Sequence, residues 1–364
     1  MPSALYSFSF APNPGWSRWF SPQPEIRAYL ERVAQEHGVD ACARLGTEVI
    51  DPEWDEIGCK WALTTSAGGF EADLLVAACG QLTNPSVPPI PGVDRFAGPV
   101  MHTARWDAEV RFDGRRVAVI GTGASAVQVV PELAKVASHL DVFQIDAPWL
   151  LPKPNPPYRS WERRLFRRLP TAMRVERELV FWLQEAATLA YTSRPRLKPL
   201  LSAISGAHRR LQVPDPELRR KVTPTDTIGC KRVLLSNDWY PTLGQPHVDL
   251  ICDPIARAER DALVTASGAI HPADVIVLGT GFRAQQFVLP MRIAGRDGVT
   301  LSEAWAGRPK AHLGTTVPGF PNLFLSMTEP TAASTQWPLR TMVWPLLPWP
   351  QLRRQLMFTA RCTR

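Results

Sequence analysis

Chemistry is first legible in RVAVIGTGASA, residues 116–126, where an apolar run ends in Gly121-Thr122-Gly123-Ala124-Ser125-Ala126. The pattern is GxGxxA. A first glycine permits a tight turn, a second lets the backbone approach a pyrophosphate, and a small third position lets a helix pack closely on a strand. The pyrophosphate would lie at the positive end of the following helix, whose first turn carries Gln128. The pattern informs only between a strand and a helix. Here SAVQVVPELAKVA (125–137) reads as that helix and LDVFQ (140–144) as the next strand. After that strand stands Ile145-Asp146. An acidic residue there bonds the ribose 2′-hydroxyl of NAD, and a basic one accommodates the 2′-phosphate of NADP. Asp146 would repel a phosphate, or it could simply cap the loop into Ala147-Pro148-Trp149.

Other candidate groups are spaced along the chain. CKRVLLSNDWYP places the adjacent cations Lys231 and Arg232 at a strand start, where an arginine can hold an oxyanion or a phosphate, or can be ordinary surface charge. LLVAACG and VIVLGTG are apolar strands closing on small residues at Gly80 and Gly281, as strand tips at a cofactor-binding edge do. Just ahead of the glycine turn, FAGPVMHTARWD strings out Phe96, Gly98, His102, Trp106 and Asp107. His102 taken alone reads equally as a hinge or core histidine.

These groups need a scaffold, and the elements around them describe one. SPQPEIRAYLERVAQEHGV (21–39) predicts a helix with Ile26, Leu30 and Val33 on one face and Ser21 at its start. Residues 60–80 predict a hairpin turning at Ala67-Gly68-Gly69, followed by a buried strand. Residues 155–225 are helical and basic in pattern, and strands return from 231. Strand, turn, helix and strand over 115–144 form a βαβ unit with a parallel sheet.

The totals bound the function. The chain has 364 residues, 45% hydrophobic and 21% charged, enough for two domains with ordinary cores. Much of the formal charge of +7 lies in 159–178, read as a solvated helix face, so neither nucleic acid nor a stable membrane anchor is an expected partner. The six cysteines form no CxxC pair and have no histidine cluster nearby, so no metal is expected. With no signal peptide and no apolar run of about 18 residues, a reducing cytoplasm is the expected compartment. Nothing in the sequence fixes an oligomeric state.

Taken together, the motifs resemble the class B flavoprotein monooxygenases, most of all the Baeyer-Villiger type. The fingerprint of that family, FxGxxxHxxxW followed by Pro or Asp, is matched by Phe96, Gly98, His102, Trp106 and Asp107. LYSFSFAPNPGWSRWFSPQPEI, VFQIDAPWLLPK, CKRVLLSNDWYP, DVIVLGTGF and HLGTTVPGFPNLF also have family counterparts in the same order, over roughly residues 2–327. The resemblance implies an α/β fold of two dinucleotide-binding domains with parallel sheets and a helical insert. It implies FAD and NADP or NAD as cofactors, O2 and a small-molecule ketone or other carbonyl compound as substrates, and an ester or lactone as product, or oxygenation at N or S. Arg232 matches the arginine that stabilises the anionic oxygen-transfer species, Lys231 belongs to the nicotinamide-phosphate contacts, and Gln81 and Trp239 flank the site. His102 belongs to the linker that couples reduction to oxygenation.

The implied domains are 1–107, the remainder of an FAD-binding domain with the linker; 108–255, a nicotinamide-binding domain with the insert 155–225; 256–327, a return to the FAD domain; and 328–364, a Pro/Trp-rich tail. Three departures accompany the resemblance. The chain starts where the family has already made its first FAD-binding βαβ unit, so that unit is expected to be missing, and an inactive fragment serving as a nucleotide-binding or interaction module is the alternative reading. Ile145-Asp146 stands where the family has Arg then Thr or Ser, which favours NADH. After Met327 the match stops, and a reading-frame slip is the expected cause.

Overall fold

The computed structural model describes residues 2–80, 82–192, 198–284, 286, 288 and 291–325. Gln81 and the tail 328–364 lie outside the described residues. The chain forms two compact units, one built from 1–48 and 154–195 and the other from 49–153 and 196–335.

In the first unit the helix Gln23–Glu36 buries Tyr29 and Val33, which pack with Trp16 and Tyr158. Leu30 is exposed, so the buried face is turned from the expected one and runs through Ile26, Tyr29 and Val33. The tyrosine hydroxyl decides the rotation. Tyr29 accepts from Phe8 N–H at 2.7 Å and donates to Ala11 C=O at 2.6 Å, tying the irregular N-terminal segment to the helix. Pro22, and not Ser21, caps this helix. The helices Ser160–Arg168 and Pro170–Thr192 belong to the same unit.

The second unit holds the strands: β1 (Val49–Asp55), β2 (Lys60–Thr65), β3 (Gly68–Ala72), β4 (Leu75–Ala77), β5 (Val100–His102), β6 (Arg116–Ile120), β7 (His139–Phe143), β8 (Leu150–Leu151), β9 (Leu234–Leu235), β10 (Val248–Ile251), β11 (Ile255–Ala258), β12 (Ala262–Thr265), β13 (Ile270–Pro272), β14 (Val275–Leu278) and β15 (Leu323–Leu325). Five of them make a wholly parallel sheet in the order β10-β7-β6-β14-β5. Its strands are apolar on both faces because both faces are covered. Val117, Val119, Leu140, Val142, Val275 and Val277 point to one side, against the helix Ala126–Leu133 and the buried Trp239, Tyr240 and Leu243. Ala118, Ile120, Phe143, Ile276 and Leu278 point to the other, under the antiparallel meander β11-β12-β13.

A second core joins the β1-β2-β3 sheet to the parallel pair β4/β15 through Trp54, Trp61, Ile293, Trp305, Phe320 and Leu323. The hairpin register brings Thr65 opposite Gly68, so its turn is Ser66-Ala67. The expected buried strand after it is only partly buried. Leu74 and Val76 are exposed, because β4 pairs with β15 alone and buries one face. The expected strand over 231–235 shortens to β9, paired with β8.

Candidate functional site

In the parallel sheet, β6 and β14 are neighbours: from β6 the chain runs on to β7 and then β10 at one edge, and β14, later in the chain, returns between β6 and β5. Open α/β sheets bind ligands at the carboxyl ends of the strands where the order switches in this way. The glycine turn occupies that place. Gly121 has φ +108° and its N–H donates to Phe143 C=O at 2.9 Å. A Cβ there would sit 2.6 Å from the backbone oxygen of Gly279, so only glycine fits. Gly123 differs. A Cβ on it would come no closer than 3.9 Å to any chain atom considered, so the chain itself does not require glycine there. A ligand backed against the turn would. The third position is settled by packing: Ala126 is wholly buried, and its methyl lies 3.2 Å from where a Cβ of Gly279 would be.

The amides of Gly123, Ala124 and Ser125 donate to no chain acceptor among the described residues. Thr122 Oγ1 donates to Asp146 C=O at 2.7 Å, and Gln128 Nε2 donates to Ala124 C=O at 2.7 Å. Free N–H groups at the start of an eight-residue helix make an anion cradle.

Asp146 is exposed just beyond β7, and Lys231 Nζ lies 2.7 Å from its Oδ2. Asp226 stands 3.9 Å from the same ammonium and accepts from Trp149 Nε1 at 3.0 Å. The structure therefore joins the acidic ribose candidate to the basic phosphate candidate, a pairing that 85 residues of separation hid from sequence reasoning. Arg232 is exposed and carries no ion pair or hydrogen bond among the described residues.

The fingerprint residues divide by role. Phe96 is buried against the meander side of the sheet. Gly98 has no room for a side chain, since a Cβ would overlap the Asp274 carbonyl oxygen. His102 ends β5 opposite Leu278 and is 5% exposed. Its Nδ1 accepts from Ala104 N–H at 3.1 Å, which leaves the proton on Nε2. That nitrogen is buried without a hydrogen-bond partner among the described residues. Burial holds the His102 pKa below its ordinary value; the Gly281 backbone opposes this and Arg105 adds to it. Trp106 is partly exposed and stacks on Phe112, and Asp107 accepts from Glu109 N–H at 2.9 Å in a local turn.

Gly281 has φ +80° and its carbonyl accepts from Ser86 N–H at 2.9 Å, pinning the end of β14 to the proline-rich linker. Gly80 has φ +73° and follows β4, so the two small-residue strand ends belong to different sheets. Gln81 lies outside the described residues. Trp239 is wholly buried in the helix-side core. Sequence reasoning passed over Gly279 and Asp274. Gly279 forms the floor on which the turn rests, and Asp274 binds Arg116 through three hydrogen bonds, the shortest 2.6 Å. Among the described residues no helix is long and apolar enough to cross a membrane.

Known proteins can be set beside this geometry. Residues 11–177 match the model of the pyridine nucleotide-disulphide oxidoreductases. The chain is 42% identical over 330 residues to a Baeyer-Villiger monooxygenase of Streptomyces coelicolor, covering 91% of this chain and 63% of that protein. It is 38% identical over 340 residues to an uncharacterized monooxygenase of Mycobacterium tuberculosis, covering 93% of this chain and 68% of that protein. The fold agrees. A steroid monooxygenase solved with NADP superposes with a TM-score of 0.80 at 32% identity, over 92% of this chain and 72% of that one.

The chain belongs to the Baeyer-Villiger type flavin monooxygenases. It has the α/β architecture of that family, and it spans 63% of the length of the Streptomyces member. In a Baeyer-Villiger type chain the fingerprint now has a physical reading. Phe96 and Gly98 are there for packing, and His102 stands at the strand tip beside the Gly279–Gly281 turn.

Proposed function

We propose that this chain acts in an NAD(P)H- and FAD-dependent monooxygenation that inserts one oxygen atom of O2 into a ketone, giving an ester or lactone. The observation that carries the reading is the glycine turn: Gly121 and Ala126 are dictated by the fold, while Gly123 and three free amides are left for a pyrophosphate. A bound nicotinamide nucleotide supplies hydride. Around it Gly123, Ala124 and Ser125 would donate to the pyrophosphate, and Asp146 and Lys231 would meet the ribose edge. Arg232, free of partners among the described residues, would offset negative charge during oxygen transfer. His102, whose pKa burial lowers, would position the β5 tip.

Flavin chemistry is proposed from the family alone. Among the described residues the strand–glycine turn–helix unit occurs once, so no residue here is assigned to the flavin pyrophosphate. The nicotinamide-binding domain is taken as the parallel sheet with its meander, which adds β5 and the strands β11 to β14 to residues 108–255, and the rest of 1–107 and 256–327 is assigned to the flavin-binding half.

The visible absorption spectrum of the purified chain before and after adding FAD tests this, together with ketone-dependent NADPH or NADH oxidation. A flavin bound near one per chain and O2-dependent conversion of a ketone to an ester or lactone are expected. A colourless protein that ignores FAD, or nucleotide oxidation that leaves the ketone unchanged, would overturn the monooxygenase reading and leave nucleotide binding standing.

A further inference from the structure

Away from the glycine turn, the meander side of the parallel sheet gathers two imidazoles and two carboxylates. His139 and Asp141 are two residues apart on β7 and so share a face. The parallel register sets Asp249 of β10 opposite Asp141. From the meander, β13 adds His271. His139 Nε2 lies 3.3 Å from Asp141 Oδ1 and 3.4 Å from Asp249 Oδ2, and one ligand atom from each of the three lies within 4.8 Å of the other two. His271 Nδ1 lies 3.6 Å from the second oxygen of Asp141. Asp141 is 4% exposed, whereas the His139 and Asp249 side chains are 38% and 62% exposed. The cluster therefore has a buried floor and an open side.

We propose that His139, Asp141 and Asp249 form a binding site for a divalent first-row transition ion, with water completing the coordination. Nitrogen and oxygen ligands sit roughly 2.0–2.2 Å from such an ion, so the atoms of a tetrahedral set are about 3.3–3.6 Å apart. The two His139 separations already have that spacing. Two carboxylates and neutral imidazole match the charge of a divalent ion and suit a borderline metal. Without an ion, Asp141 is an ionisable group buried beneath the meander beside a second carboxylate. His271, 3.6 Å from the other oxygen of Asp141, would be the outer-shell partner of that carboxylate. Arg116, opposite His139 in register, is committed to Asp274 and does not compete. Asp253 faces His271 from the loop between β10 and β11 and adds negative charge on that side. Cysteine spacing alone, from which no metal is expected, cannot report histidine and aspartate ligands that two strands bring together.

The test is Co2+ titration of the chelator-treated full chain, followed by equilibrium dialysis, visible absorption and thermal unfolding. One Co2+ per chain is expected, with a raised unfolding midpoint and ligand-field bands lacking thiolate charge transfer. The competing thiolates come from the cysteines, five of which are exposed among the described residues. His139→Gln and Asp249→Asn, both at solvent-reaching positions, should each weaken binding by roughly a hundredfold, and His271→Gln by roughly tenfold. No binding, a thiolate charge-transfer band at first stoichiometry, or unchanged affinity in both His139→Gln and Asp249→Asn would show a simple buried ion network and overturn the site.

Discussion

If the proposed nucleotide site is right, Lys231 and Asp146 together set which nucleotide edge it takes. Asp146 alone would reject a 2′-phosphate, but it sits 2.7 Å from an ammonium that attracts one. Each side chain is about half exposed, so their mutual attraction is worth little, and exchange of partners on ligand binding costs little. Removing either charge should tilt the preference in opposite directions. Lys231→Ala should weaken NADPH by about tenfold relative to NADH, the loss of one charge-assisted phosphate contact of about 1.5 kcal/mol. Asp146→Ala should shift the ratio of the two dissociation constants toward NADPH. Equilibrium binding of both nucleotides to the two variants measures this, and parallel losses for both nucleotides would remove the pair from the ribose edge. The sequence contained both residues and both rules. Their meeting was not legible, because it depends on how the loop after β7 and the loop before β9 return to one strand end.

At the scale of elements, legibility followed how locally each signal is determined. The βαβ unit was readable because a buried strand, a glycine turn and an apolar helix face are set by consecutive residues; β6 and the helix Ala126–Leu133 lie within the expected ranges, and β7 is shifted by one residue from its own. The face of the helix Gln23–Glu36 was misjudged because the Tyr29 hydroxyl bonds, made to a distant loop, override simple apolar periodicity. β4 and β9 were over-read because an apolar run does not say how many of its faces a partner covers. Gly98 shows the same division. Its identity was visible as a motif, yet its reason is the Asp274 carbonyl, 176 residues away in a strand that returns beside β5. Gly98→Ala should therefore destabilise the chain by about 3 kcal/mol through overpacking against rigid backbone. It should do so without altering the residues that touch a nucleotide. Urea unfolding midpoints check the first part, and a variant as stable as the parent would mean that β14 can yield where this packing says it cannot.

For the whole molecule, the local turn has a global consequence. A ligand that binds only the folded chain stabilises it in proportion to the logarithm of its saturation, about 2.7 kcal/mol at a hundredfold excess over the dissociation constant. The glycine turn rests on Phe143 through Gly121 and on Gly279 through both Gly121 and Ala126, so it joins β6, β7, β14 and the covering helix at one point. A nucleotide held there should raise the stability of the unit built from 49–153 and 196–335, and should do so without FAD, because none of these contacts involves a flavin. Gly121→Val should remove stability and binding together. It places a branched side chain at φ +108°, against the Gly279 oxygen, and should cost about 2 kcal/mol or more in the absence of ligand. It should also abolish the further gain on adding NADPH or NADH. Gly123→Ala makes the sharper comparison. Its Cβ finds space in the chain, so the unliganded protein should unfold at nearly the parent midpoint while the nucleotide-dependent shift is lost. If Gly123→Ala kept the full shift, the second glycine would not face a pyrophosphate, and the nucleotide reading of the turn would fail even though the turn itself is formed.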